Sequence, residues 1–207
     1  MSSRISYTHV FADANSHSVA VVTCPGGPKV KTVVGRVDSS AAAPDNSMPP
    51  GFGPGSDHDS LLQLFIDKGF SAAELAALIG AHTTSTAFRQ TANNVPFNAP
   101  QDSTPGKWDV NYYAETYTPP AGVSRFASDI NLAQKNTTVG KQFAGFVGQQ
   151  NKWGSAFAAA MAKLSVLGIP AAAQGNFADC TGFLPAGTAV KMIRSAPLAG
   201  RVYSESK

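Results

Sequence analysis

Apolar residues recur at helical spacing along much of the chain, and the stretches between them are rich in glycine, proline and polar residues. This pattern predicts a mostly α-helical protein with long loops. The predicted helices cover residues 5–22, 56–68, 71–82, 110–117, 126–134, 139–149 and 153–167. In residues 29–37 apolar and polar side chains alternate weakly, which predicts one short strand. Irregular structure is expected for residues 39–55, 84–106 and the segment after 168.

Two of these helices carry recognisable start signals. Residues 56–59 (SDHD) place two acids in a first turn, where the helix dipole favours negative charge. Ser71 and Glu74 have the spacing of a capping box, in which each side chain bonds the backbone of the other. His82 continues the apolar stripe of this second helix, which contains Leu75, Leu78 and Ile79. The pattern therefore places His82 on an apolar helix face.

Composition indicates a globular protein rather than a disordered or fibrous one. The chain has 207 residues and 21.4 kDa, with 43% hydrophobic and only 14% charged residues, so one domain over residues 1–207 is expected, with 188–207 as an irregular tail. The formal charge of +3 is small and scattered, which excludes a nucleic-acid surface. No apolar run is long enough to cross a bilayer, and no signal peptide is expected at the start of this sequence.

The sequence contains two cysteines, Cys24 and Cys180. Joined to each other, they would close a large loop and stabilise the fold by about 4–5 kcal/mol in the entropic account of disulfides. As free thiols, they would behave as small apolar residues of the interior. The spacing itself leaves both states open, and it does not match a zinc site.

His82 has two interpretations. A histidine on an apolar helix face is commonly a core residue bonded to a carbonyl or a carboxylate. The other interpretation is an axial ligand of a metal or haem iron, for which neutral imidazole is well suited. Such a ligand needs a partner on its second ring nitrogen, and Asp129 is the candidate because it lies in a mostly apolar helix. A carboxylate buried there would itself need a partner.

Residues 102–109 (DSTPGKWD) form a second candidate site. Two carboxylates, a threonine hydroxyl and a Pro-Gly turn lie within this short segment, which suits a hard cation bound through oxygen. The segment does not match the calcium loop of EF-hands. The alternative is an ordinary turn before a helix that begins near Asp109.

Five segments in a fixed order carry a family resemblance. They are residues 22–28 (VTCPGGP) with 35–36 (GR), 77–83 (ALIGAHT), 102–109 (DSTPGKWD), 126–129 (FASD), and 177–180 (FADC) with 184–185 (LP). Together they resemble the fungal secreted haem peroxidases, the class II branch of the plant-type peroxidase superfamily. The resemblance runs from about residue 5 to 187 and corresponds to the C-terminal two-thirds of that fold.

The resemblance implies a cofactor and a set of ligands. It implies haem b with His82 as the proximal iron ligand and Asp129 as the carboxylate that bonds the proximal imidazole. It also implies Ca²⁺ in a proximal loop, with ligands at Thr83, Asp102, Thr104, Lys107 (through its backbone carbonyl) and Asp109. Cys24 and Cys180 would each pair with cysteines of the family's N-terminal part rather than with each other.

Other positions depart from the family pattern. The family's distal helix carries a motif of the form Arg-x-x-Phe-His, and this sequence contains no such motif, so no catalytic acid–base pair can be assigned. Ala77 stands where lignin-type enzymes have a surface tryptophan, and Phe88 where manganese-oxidising members have an acid. Gln101 stands where several members have a phenylalanine, which predicts a more polar proximal pocket.

Two functions are expected from this combination. The first is a haem peroxidase that uses hydrogen peroxide to oxidise small organic donors, secreted as the family resemblance implies. The second is a repurposed or truncated peroxidase scaffold without peroxidase activity, which binds a small molecule or a partner or catalyses a non-redox step. In the second case the apolar face that haem would cover is expected to bind something else or to form a homodimer.

Overall fold

The computed structural model describes residues 26–37, 41, 53, 55–87 and 98–184. Helices dominate these residues, which confirms the mostly α-helical fold class. The α-helices, numbered in chain order, are α1 (His58–Asp67), α2 (Ala72–Ile79), α3 (Asn111–Tyr117), α4 (Ala127–Leu132), α5 (Thr138–Ala144), α6 (Gln150–Ser165) and α7 (Ala171–Gln174). Two 3-10 helices, Gly80–Thr84 and Thr181–Phe183, complete the helical part.

The first two helices begin as the sequence predicts. The Asp57 carboxylate accepts from the Ser60 backbone N–H and caps α1. Ser71 and Glu74 form the capping box of α2, because each side chain accepts a hydrogen bond from the other residue's backbone N–H. α1 ends before Gly69, whose φ of +83° is a left-handed conformation that glycine adopts without strain.

The core is centred on α2, which packs chiefly against α5 and α6. Its small residues Ala76 and Ala77 are fully buried and allow large aromatic side chains to approach its backbone. These aromatic residues pack edge-to-face or stack with one another, and each fully buried ring contributes about 1.5–3 kcal/mol through apolar burial. The cluster consists of Trp108, Tyr112, Tyr113, Phe143, Phe146, Trp153 and Phe157.

Two short antiparallel ladders tie distant segments together. In the first, β1 (Val33–Val34) pairs with β4 (Ala178–Asp179), with Val33 opposite Asp179. In the second, β2 (Thr86–Ala87) pairs with β3 (Ala99–Pro100), with Thr86 opposite Pro100. The second ladder matters for the site, since β2 follows the first 3-10 helix directly and β3 leads directly into residues 101–109.

The prediction of one α-helix over 71–82 is wrong at its end. α2 stops at Ile79, and the chain tightens into the 3-10 helix Gly80–Thr84, so His82 lies on a tighter turn than the periodicity indicates.

The cause of this change is tertiary. Tyr113 donates its hydroxyl to the Ala76 carbonyl at 2.9 Å, and the Trp153 indole N–H donates to the Ala77 carbonyl at 3.0 Å. Both carbonyls belong to the last turn of α2, and each accepts a hydrogen bond from a side chain of another helix. Gly80 lies against the same two side chains, where a Cβ atom would overlap both. The end of α2 is shaped by these contacts rather than by its own sequence.

Other predicted elements differ in extent. The helix predicted over 139–149 ends at Ala144, and the helix predicted over 153–167 begins three residues earlier, at Gln150. The segment after 168 is not wholly irregular, because it forms α7 and the strand β4 that pairs with β1. The predicted helix 5–22, Cys24, Phe88, the tail 188–207 and most of the predicted loop 39–55 lie outside the described residues. Helices in the described part of the chain are too short or too polar to cross a bilayer.

Candidate functional site

His82 on the first 3-10 helix and Asp129 on α4 lie next to each other. His82 Nδ1 lies 3.1 Å from Asp129 Oδ2, within hydrogen-bond distance. The Asp129 side chain is 1% exposed, whereas the imidazole is 30% exposed. Tyr112 and Phe126 pack edge-to-face against the imidazole, each with 5.8 Å between ring centroids. The ring is therefore held by aromatic contacts and oriented by a buried carboxylate.

Gln101 is a third member of this cluster. Its side chain is buried, and its amide nitrogen donates to Asp129 Oδ2 at 3.0 Å. The Ser85 hydroxyl lies within hydrogen-bond distance of the Gln101 amide oxygen and 2.9 Å from the His82 carbonyl. The backbone N–H of Gln101 donates to the Ser85 carbonyl at 3.2 Å, next to the β2–β3 ladder. Hydrogen bonds between these residues join segments that are far apart in the sequence, so its local pattern could not predict them.

The Tyr112 hydroxyl is a buried polar group beside the same carboxylate. It has no hydrogen bond of ordinary geometry. Burial raises the pKa of Tyr112 well above its ordinary value, and the charge of Asp129 raises it further. Tyr112 is thus a neutral phenol at physiological pH, packed between the imidazole and the aromatic core.

An open cavity of about 330 Å³ lies on the exposed side of His82. Its walls come mainly from α1, α2 and α4, and they are largely apolar. The lining consists of Gly53, Leu61, Phe65, Leu75, Leu78, Ile79, Ala81, His82, Phe126, Ser128 and Leu132. Within the described chain, Nδ1 is the ring nitrogen of His82 that makes a hydrogen bond, which leaves Nε2 available. An imidazole that lines an apolar cavity and has one available nitrogen is the donor arrangement that a haem iron needs.

The second candidate site is a network of oxygen atoms around Asp102. This carboxylate is fully buried and accepts from the Thr83 hydroxyl and from the Thr104 backbone N–H, the latter at 2.8 Å. The Thr104 hydroxyl donates to Asp109 Oδ2 at 2.9 Å. Thr83 directly follows His82, so this network braces the turn that carries the imidazole. Hydrogen bonds thus connect Asp102, Thr104 and Asp109 of the predicted loop with one another and with Thr83.

Burial raises the pKa of Asp102 to about 6, against the hydrogen bonds from Thr83 and Thr104 that lower it. The charges of Asp109 and Glu115 raise it further. A buried carboxylate with a second acid nearby is the electrostatic arrangement that a bound Ca²⁺ would relieve. The donor set therefore fits a hard cation.

Glu115 lies beside this loop as well, and its carboxylate accepts from both the backbone N–H and the hydroxyl of Ser103. The Lys107 backbone N–H donates to the Thr104 carbonyl at 2.8 Å and closes the turn. In the part of the chain that the structure describes, no three acidic, histidine or cysteine residues converge on one point. Hydroxyl and carbonyl oxygens would therefore supply much of any coordination shell.

Comparison with known proteins identifies the family of this chain. The sequence model of the peroxidase family matches residues 1–144, more than half of the chain. The chain belongs to the peroxidase family. The resemblance to fungal class II haem peroxidases is thereby confirmed, and the mostly α-helical architecture is that of a peroxidase-fold domain.

Three fungal relatives illustrate the similarity of this peroxidase-family chain. Manganese peroxidase 3 of Phlebia radiata is 33% identical over 211 residues, covering 86% of this chain and 55% of that protein. The peroxidase of Arthromyces ramosus is 31% identical, covering 81% of this chain and 48% of its own length. Ligninase H2 of Phanerodontia chrysosporium is 28% identical, covering 91% and 53%. The chain thus spans about half the length of the relatives it matches.

Two further residues singled out from the sequence have defined places. Ala77 is fully buried in the core, where its carbonyl accepts from Trp153, so this position does not reach the surface. Cys180 carries a free thiol in the turn before the second 3-10 helix, and its backbone N–H donates to the Thr32 carbonyl at 2.9 Å. Neither residue lines the cavity that contains His82. The surroundings of His82 are formed by Gln101, Ser85 and Tyr112. Of these three residues, only Gln101 was indicated by the sequence, because it stands where several family members have a phenylalanine.

Proposed function

We propose that this chain forms the proximal half of a haem peroxidase and binds haem b with His82 as the iron ligand. The observation that carries this proposal is the His82–Asp129 pair, 3.1 Å apart, at the wall of an apolar cavity. Asp129 would hold the Nδ1–H and leave Nε2 free for the metal, which fixes the tautomer and makes the imidazole a stronger electron donor.

A Ca²⁺ ion is proposed for the loop next to the imidazole. Asp102 and Asp109 would supply the carboxylates, and Thr83, Thr104 and the Lys107 carbonyl would supply neutral oxygens. The raised pKa of Asp102 and the proximity of these oxygens support this assignment. Because Thr83 follows His82 directly, the ion would brace the turn that holds the axial ligand.

The proposed reaction is the oxidation of small organic donors by hydrogen peroxide. Bound haem would supply the redox chemistry, while the residues of this chain would hold the cofactor, orient its axial ligand and exclude water with apolar side chains. The acid and base that handle peroxide protons in the family cannot be assigned to any residue of this sequence. Secretion, as the family resemblance implies, stays a prediction.

The test is a haemin titration of the purified chain, followed by absorption spectroscopy. The unaltered chain should give a saturable Soret shift, and His82→Ala should abolish it. His58→Ala is the matched control, because His58 also bonds a neighbouring carboxylate, Asp59, at 2.7 Å but does not line the cavity. An unchanged Soret spectrum in His82→Ala would refute the ligand assignment. No shift in any of the three proteins would favour the repurposed scaffold, and its predicted homodimer would then be tested by sedimentation.

A further inference from the structure

One carboxylate oxygen in the site receives two donors. Oδ2 of Asp129 lies 3.1 Å from His82 Nδ1 and 3.0 Å from the amide nitrogen of Gln101. The two donor nitrogens are 3.4 Å apart, so they approach the same oxygen side by side. The other oxygen, Oδ1, has a longer contact of 3.4 Å to the Ser128 hydroxyl. The imidazole therefore shares its orienting oxygen with a neutral amide.

The orientation of the Gln101 amide follows from its neighbours. The opposite orientation would place the amide oxygen against the Asp129 carboxylate, where two acceptors would repel each other. In the orientation found, the oxygen faces the Ser85 hydroxyl, which can donate to it. The backbone bond from Gln101 to Ser85 and the adjoining β2–β3 ladder hold the residue in place. Gln101 is also buried, with 2% of the residue exposed, so water does not compete for these bonds.

We propose that Gln101 is a positioning residue that competes with His82 for the same oxygen of Asp129. It thereby weakens the hydrogen bond from the imidazole Nδ1–H to Asp129. The inference about the iron rests on the proposed haem function, but the inference about the hydrogen bond does not. A carboxylate oxygen that accepts two hydrogen bonds has less negative charge to offer each donor. Gln101 thus keeps the axial imidazole closer to a neutral ligand.

The consequence for bound haem is a shift of reduction potential. Electron donation by the axial ligand stabilises ferric over ferrous iron, and the strength of the second-shell hydrogen bond controls that donation. Removal of the Gln101 amide leaves Oδ2 of the carboxylate to His82. Gln101→Met keeps the length of the side chain and removes its donor, so it should move the ferric–ferrous potential to a more negative value.

The first experiment needs no haem. Nitrogen NMR of the full chain with isotope-labelled histidine reports the tautomer of His82 and the strength of its Nδ1–H bond. Gln101→Met should move the Nδ1–H proton downfield, as expected for a stronger bond to Asp129. Gln150→Met is the matched control. The Gln150 amide also donates a hydrogen bond, to the Trp108 carbonyl at 3.1 Å, but Gln150 lies on α6 and does not bond Asp129. The control should leave the His82 signal unchanged.

The second experiment measures the potential of the haem-loaded chain by spectroelectrochemistry. A more negative potential in Gln101→Met, with no change in Gln150→Met, supports the proposal. A folded Gln101→Met with an unchanged His82 proton signal overturns it, whether or not haem binds. If Gln101→Met does not fold, Ser85→Ala replaces it, because this variant removes the hydroxyl that contacts the Gln101 amide oxygen. It should move the His82 Nδ1–H signal in the same direction but by a smaller amount. An unchanged signal in Ser85→Ala overturns the proposal as well. Failure of haem binding with a moved proton signal refutes the proposed function alone.

Discussion

The indole N–H of Trp153 donates to the carbonyl oxygen of Ala77 at 3.0 Å and joins the longest helix of the described chain, α6, to the end of α2. This bond lies in the dry interior, where an unpaired indole N–H would be costly. It also places α6 against the turn that presents His82. The stability of the core and the position of His82 therefore depend on the same contact.

Replacement of Trp153 tests this contact. Trp153→Phe should lower the free energy of unfolding by about 1–3 kcal/mol, because it removes a buried donor and part of the stacking on Trp108. Trp108→Phe is the matched control: its own indole nitrogen is buried without a hydrogen bond, and the two rings stack at 5.0 Å. The control should cost clearly less in urea-induced unfolding. Equal losses in both variants would show that ring packing, not the bond to Ala77, holds the end of α2.

Replacement of Asp102 tests the proposed calcium loop. The pKa of Asp102 is raised to about 6 from an ordinary value near 3.8, so the folded chain disfavours its charged form. Without calcium, at a pH well above 6, Asp102→Asn should unfold at the same or a higher temperature than the unaltered chain, because it removes a buried charge. Added calcium should raise the unfolding temperature of the unaltered chain and not that of Asp102→Asn.

The control for this measurement is Asp59→Asn, an exposed acid outside the loop. It should retain the full calcium-dependent rise in thermal unfolding followed by circular dichroism. A calcium response in Asp102→Asn equal to that of the unaltered chain would remove this residue from the proposed ligand set.

The capping box of α2 predicts a pH dependence of stability. Burial alone would raise the pKa of Glu74, but hydrogen bonds from Ser71 and Lys163 together lower it below its ordinary 4.5. A carboxylate with a lowered pKa stabilises the fold above pH 4.5, and this contribution disappears as the pH falls through the lowered value. Urea unfolding should show Glu74→Gln destabilised by about 0.5–1 kcal/mol at neutral pH, and the difference should vanish in acid.

Lys163 provides the control for that experiment. Its ammonium group lies 2.9 Å and 3.0 Å from the two carboxylate oxygens of Glu74. In a Lys163→Met background the effect of Glu74→Gln should shrink, because part of what holds the carboxylate charged is already gone. An effect of the same size in both backgrounds would assign the whole contribution to the cap.

Local signals were sufficient for much of the fold. The starts of α1 and α2 follow from Asp57, Ser71 and Glu74, since caps satisfy backbone groups within a few residues. The extents of the elements near 139–149 and after 168 were less predictable. β4 forms only because β1 lies beside it, and a strand pairing over such a separation leaves no local pattern.

The sequence by itself determined the helical fold class and the family, because these depend on residue type and order. It also predicted which residues would ligate iron and calcium, and those assignments stay predictions. Tertiary structure decided the geometry. It shortened α2 through the side chains of Tyr113 and Trp153, which compete for the last carbonyls of that helix. It also set Gln101 beside His82 on a shared carboxylate. The β2–β3 ladder brings the segment that contains Gln101 back to the 3-10 helix that contains His82. Such contacts depend on packing between segments far apart in the chain, which no local pattern encodes.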